Sequence, residues 1–111
     1  MSLKFRLKGL AETFIDHLRC SNCGVFGSDE ENFNTELTKV TFDGIIVVAQ
    51  CKQCGEIFVP ESQRLGVVDV QELRKAVEKD SVETGEPIYQ NYEMVRLNAE
   101  RLNALRKGDL H

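Results

Sequence analysis

The apolar positions change period twice along the chain. Near the start, Leu3, Phe5 and Leu7 alternate as in a strand, while Leu3, Leu7, Leu10, Phe14 and Leu18 step by four, three, four and four on one helical face. The longer pattern predicts an amphipathic helix over residues 10–18, its apolar face packed on the central strands or the C-terminal helices. In the middle, Thr35, Leu37, Val40, Thr41 and Phe42 favour extended chain, and Asp43-Gly44 signals a two-residue hairpin. Ile45, Ile46, Val47, Val48 and Ala49 then form an uninterrupted run that suits a buried strand, and Ile57 to Val59 supply a third.

Past Pro60 the period becomes helical. Asp69 and Glu72 are spaced as a capping box, and Val70, Leu73 and Val77 line one face of a helix expected to reach Lys79. Residues 80–87, with Thr84-Gly85-Glu86-Pro87, are expected to break it. A last helix should begin within residues 88–91 and end near Gly108, behind Arg106 and Lys107. Along it Ile88, Tyr92, Val95, Ala99 and Leu102 trace a short heptad seam, to be covered inside the subunit or by a second copy in a homodimer through paired C-terminal helices.

Two Cys-x-x-Cys pairs punctuate this pattern: Cys20-Ser21-Asn22-Cys23 and Cys51-Lys52-Gln53-Cys54, each followed by glycine. Two intervening residues let both sulfurs of a pair converge on one point, and two pairs facing each other supply four thiolates in a tetrahedron, a donor set that suits Zn²⁺, with iron as the alternative. One ion per chain is expected, held by Cys20, Cys23, Cys51 and Cys54. A closed four-sulfur shell keeps no position for an activated water, so the pattern points to structure rather than hydrolysis. A secreted disulfide framework is disfavoured because the first nine residues contain no apolar stretch or cleavage site; a thioredoxin-type pair is disfavoured because the motif occurs twice and the second leads into a strand.

These residues resemble the zinc ribbon family, in which two Cys-x-x-Cys-Gly knuckles are joined by a β-hairpin. The resemblance rests on Cys20, Cys23, Gly24, Cys51, Cys54 and Gly55 and covers residues 20–60. It implies a small three-stranded antiparallel zinc ribbon; together with the N-terminal amphipathic helix assigned to residues 1–19 and the two C-terminal helices within residues 61–111 that the apolar periodicity predicts, the expected fold class is α+β in one domain. The knuckles are also similar to those of rubredoxins, which would imply an iron electron carrier, but this chain has no tryptophan and only two tyrosines.

Composition narrows the role. A chain of 111 residues buries a modest core, so a metal staple is expected to decide whether its centre folds, with much of the helical signal surviving metal loss. No segment approaches the roughly 20 apolar residues of a membrane span, and a cytoplasmic location with reduced thiols is expected. Net charge is −4 with the basic residues dispersed, a poor footprint for nucleic acid; a transcription-type contact would need Lys39, Lys52 and Arg64 to assemble with Lys4 and Lys8. His17 and His111 are isolated, and no phosphate loop, nucleophile motif or zinc-protease helix occurs. The expectation is a non-enzymatic zinc-binding protein that acts on another protein as adaptor, regulator or accessory subunit.

Overall fold

The computed structural model describes residues 3–7, 9–15, 18–27, 32–61 and 63–108, the first of these stretches by backbone alone. In chain order the strands are β1 (Leu3–Leu7), β2 (Ala11–Ile15), β3 (Leu18–Arg19), β4 (Phe26–Gly27), β5 (Phe33–Asn34), β6 (Lys39–Thr41), β7 (Gly44–Ile46), β8 (Ala49–Cys51), β9 (Ile57–Phe58) and β10 (Arg64–Val67). Among the described residues two helical elements of eight or more residues complete the order, α1 (Val70–Thr84) and α2 (Tyr92–Lys107). The architecture is α+β, with several small antiparallel sheets in place of one continuous ribbon. No helix among the described residues is long and apolar enough to cross a membrane.

The helix expected over residues 10–18 is not formed. Residues 11–15 are a strand with alternating burial: Ala11, Thr13 and Ile15 point inward and are fully buried. Gly9, with φ of +72°, helps turn the chain back, so that Leu7 pairs with Ala11 and Leu3 with Ile15. The alternation sets β-forming Thr13, Phe14 and Ile15 on a pleated surface, which the pairing with β1 across this turn stabilises. Strand β10 pairs on the other edge of β2, Arg64 with Phe14 and Val67 with Ala11. The whole cysteine-bearing region therefore leaves and re-enters between two neighbouring strands of one sheet.

The apolar run of residues 45–49 is the hub of the packing. All five side chains are buried, and they divide three ways: Ile45 meets Ala11, Leu73 and Val77; Ile46 and Val48 meet Ile57, Val95 and Ala99; Val47 and Ala49 meet Ile15, Phe33 and the buried cysteines. Polar residues cannot alternate here because each direction is covered. The run is not one strand, however. It is divided between β7 and β8, and at the break the Val47 N–H donates to Gln63 Oε1 (2.8 Å) while Gln63 Nε2 donates to the Val47 carbonyl (3.2 Å). One side-chain amide thus takes the place of a paired backbone strand.

The hairpin turn sits one residue earlier than the Asp43-Gly44 signal suggests. Thr41 pairs with Gly44, leaving Phe42 and Asp43 as the loop; Thr41 Oγ1 accepts from the Asp43 N–H (3.1 Å) and donates to the Gly44 carbonyl (2.9 Å). Helix α1 starts as expected, with the Asp69 carboxylate accepting from the Glu72 N–H at 3.0 Å. It continues past Lys79 to Thr84 and stops only at Gly85, whose φ of +74° forms the left-handed cap. Helix α2 is capped by Asn91 and starts at Tyr92, one residue past the expected range, and it ends at Gly108 as expected. Its seam residues Tyr92, Val95, Ala99 and Leu102 lie against the strands of the cysteine-bearing region, and Ile88 joins the Leu73 and Val77 cluster.

Candidate metal centre

The two knuckles are built to one plan, offset by 31 residues. Leu18 pairs with Gly27 and Arg19 with Phe26 in the first, Ala49 with Phe58 and Gln50 with Ile57 in the second. The Cys20 N–H donates to the Val25 carbonyl (2.8 Å) and the Cys51 N–H to the Glu56 carbonyl (2.9 Å); the Gly24 N–H donates to Cys20 O (3.0 Å) and the Gly55 N–H to Cys51 O (2.9 Å). Each glycine has positive φ, +79° and +83°, so the chain folds back over its sulfurs without Cβ strain. At Gly55 space is short as well: a Cβ would come within 3.2 Å of the Arg106 guanidinium.

All four sulfurs, from Cys20, Cys23, Cys51 and Cys54, lie within 4.8 Å of one another. Cys20 Sγ is 3.5 Å from Cys54 Sγ, and Cys23 Sγ is 3.6 Å from Cys51 Sγ, both contacts crossing between knuckles. Four sulfurs at about 2.3 Å from a central ion stand about 3.8 Å apart along a tetrahedron edge. The separations fit that cage and are far from the roughly 2.05 Å of a disulfide. These four residues, predicted as ligands from their spacing, can hold a metal ion.

The electrostatics of the cluster also call for a cation. Cys54 is lowered to about 6, chiefly by the Glu56 N–H and then by the Asn22 side chain. Cys23 goes the other way, to about 12: the Val25 N–H acts downward but is outweighed by local desolvation and by the sulfurs of Cys51, Cys54 and Cys20. The two N–H donors occupy equivalent places in the two knuckles, so the divergence comes from what differs: the Asn22 side chain holds Cys54 down, and the neighbouring sulfurs push Cys23 up. Four neighbouring thiols cannot all ionise beside one another; a divalent ion removes that conflict by neutralising part of the charge.

The surroundings are unequal. Cys20 and Cys51 are buried in a cluster with Phe33, Val47 and Ala49; Cys54 is half-buried, and Cys23 is exposed. The second knuckle is braced by α2. Ile57 gives its N–H to Asn103 Oδ1 (2.8 Å) and receives Asn103 Nδ2 at its carbonyl, and Lys107 lies 3.4 Å from the nearly buried Glu56 carboxylate. The sequence pattern singles out none of Gln63, Asn103 or Glu56, and Arg106 only as a basic residue in the last turn of the final helix. A signal existed for Asn103, which stands four residues beyond Ala99 on the buried stripe. Asn103→Ala should leave both Ile57 backbone groups unsatisfied and cost about 1–3 kcal/mol, read as a lower urea midpoint of the metal-loaded protein; an unchanged midpoint would show that water replaces the amide freely.

Of the basic residues proposed for a nucleic-acid face, Lys39 turns into the cleft between β6 and α1, 3.4 Å from the Glu86 carboxylate and over the Tyr89 ring. The side chains of Lys4 and Lys8, and both histidines, lie outside the described residues. Compared with known proteins, the chain matches no family model, no curated protein and no solved structure.

Proposed function

We propose that the chain is a non-enzymatic zinc protein of the ribbon type, in which one Zn²⁺ held by Cys20, Cys23, Cys51 and Cys54 staples the two knuckles, and that it serves another protein as an adaptor or accessory subunit. The observation that carries the reading is the gathering of four sulfurs, from segments about thirty residues apart, into a cage of tetrahedral dimensions. Zinc is favoured over iron because a closed four-thiolate shell is its ordinary structural setting. With four protein ligands the ion has no position for water, which argues against a hydrolytic role.

The adaptor part of the reading draws on exposed apolar surface. Met94, Leu97 and Leu105 lie exposed within about 80° of one another around α2, on a side not used by Val95 and Ala99. A dimer through the C-terminal helices would have to use this side too, because the heptad seam rests on the chain's own strands. Elemental analysis with native mass spectrometry of gently purified protein tests both parts. One zinc per chain, a colourless sample and a stoichiometric protein partner are expected. A metal-free folded chain would sink the zinc centre, a coloured and reversibly reducible one would install the iron carrier, and a monomer alone at near-native concentration would remove the adaptor.

A further inference from the structure

The four sulfurs differ in what reaches them from solvent and agree in which neighbours they touch. Cys20 and Cys51 are each 1% exposed, Cys54 is intermediate and Cys23 is exposed, flanked by exposed Asn22 and Gly24. Each of the sulfur contacts at 3.5 and 3.6 Å joins one knuckle to the other. In a metal-loaded centre all four are thiolates at nearly equal spacing, so accessibility decides which sulfur an incoming oxidant meets, and the cross-knuckle approach of Cys51 at 3.6 Å in the structure selects the sulfur that closes on it once the ion's hold on the oxidised sulfur is broken.

We infer that the centre is an oxidation site for peroxide-class oxidants, at which Cys23 is attacked first and Cys51 closes on it, so that the metal leaves while a cross-knuckle disulfide keeps the ribbon shut. The inference rests on the cluster being a metal centre. In the first step the Cys23 thiolate takes one peroxide oxygen; the O–O bond breaks, and the departing hydroxide is protonated to water. In the second the Cys51 thiolate attacks the Cys23 sulfenic acid, the S–O bond breaks and a second hydroxide leaves as water. Two sulfurs have lost one electron each, and the peroxide oxygens have taken both. Closing from 3.6 Å to about 2.05 Å asks each sulfur to move only about 0.8 Å. With two thiolates gone the ion's shell is halved and it dissociates. A second peroxide closes Cys20 on Cys54 by the same chemistry.

Linking across the knuckles, rather than within a Cys-x-x-Cys turn, preserves the turns themselves. The Gly24 and Gly55 N–H bonds to Cys20 O and Cys51 O stay in place, and the new bond spans the junction that the ion held. Loss of metal by oxidation and loss by chelation should therefore give different proteins, one closed and one open.

Metal-loaded full-length protein, its metal content first fixed by elemental analysis, is titrated with hydrogen peroxide while a metallochromic indicator follows release. It is then alkylated and cut with trypsin without reduction. Cleavage after Arg19, Lys39, Lys52 and Arg64 puts Cys20 and Cys23 in residues 20–39, Cys51 in 40–52 and Cys54 in 53–64. The expected first product joins 20–39 to 40–52, with fragmentation placing the bond on Cys23, in step with metal release and with the dispersed amide signals of Ala49 and Ile57 retained. A first bond inside 20–39, a bond between 40–52 and 53–64, a first bond through Cys20, or release with no disulfide would each overturn the inference and leave the metal centre standing. A chain that takes up no metal before peroxide is added would defeat the metal centre itself, and the inference with it.

Discussion

Stripping the ion with a strong chelator at neutral pH should collapse the cysteine-bearing region and take much of helix α2 with it. Apparent binding energies of structural zinc are about 10–16 kcal/mol, comparable to or larger than the whole net stability of an ordinary domain, about 5–15 kcal/mol. The strands of the two knuckles, which a bound ion would fasten, are only two or three residues long, too short to persist by themselves. Helix α2 has 16 residues, marginal in isolation, and its buried positions Val95 and Ala99 rest on Ile46, Val48 and Ile57. Circular dichroism should lose a substantial part of its helical signal on chelation, and amide spectra should lose dispersion at Ile57, Val95 and Asn103 before Leu73 and Val77. Unchanged spectra after verified metal removal would show that packing alone suffices. The expectation that the helical signal survives belongs to a picture in which the helices stand beside the ribbon; α2 lies on it.

Phe33→Ala should be the most damaging single change outside the cysteines. Phe33 is 2% exposed, sits opposite Cys51 in the β5–β8 pairing and meets the Phe58 ring edge-on at 5.7 Å. Its removal opens a cavity behind the ligand-bearing strand, and truncations of this kind cost about 3–5 kcal/mol. Because the lost wall belongs to the same cluster as Cys20 and Cys51, metal affinity should fall together with stability. Denaturant unfolding of the loaded protein and competition with a metal indicator measure the two quantities. A loss below about 1 kcal/mol with affinity intact would mean that the neighbouring Val25 and Phe58 refill the space.

How much the chain discloses in advance depends on how local each cause is. The candidate ligands are legible because the spacing of Cys20, Cys23, Cys51 and Cys54 and the glycines behind them state their geometry within a few residues. The helix starts at Asp69 and Asn91 and the stop at Gly108 are local as well, since a cap is satisfied by a side chain or a φ angle close at hand. The N-terminal segment misleads because its inward positions include Ala11 and Thr13, residues that weigh little in an apolar pattern, while Leu3, Leu7, Leu10, Phe14 and Leu18 spell a helix. What fixes β2 as a strand is pairing with β1 on one side and with β10, some fifty residues away, on the other. The break between β7 and β8 is hidden for the same reason. Gln63 replaces a ladder partner from sixteen residues away, and no local signal marks an amide that will be used so.

The position of the cysteine-bearing region between β2 and β10 has a consequence for the order in which the chain can fold. Forty-eight residues separate Ile15 from Arg64, yet those strands lie side by side. Once Cys20 and Cys54 share an ion, the route from one strand to the other runs through about 13 residues of free chain, which lowers the loop-closure entropy by about 1 kcal/mol. Metal capture thereby shortens the search for a pairing that does not itself touch the metal. Ion availability should set the folding rate of the outer sheet as well as the stability of the inner one.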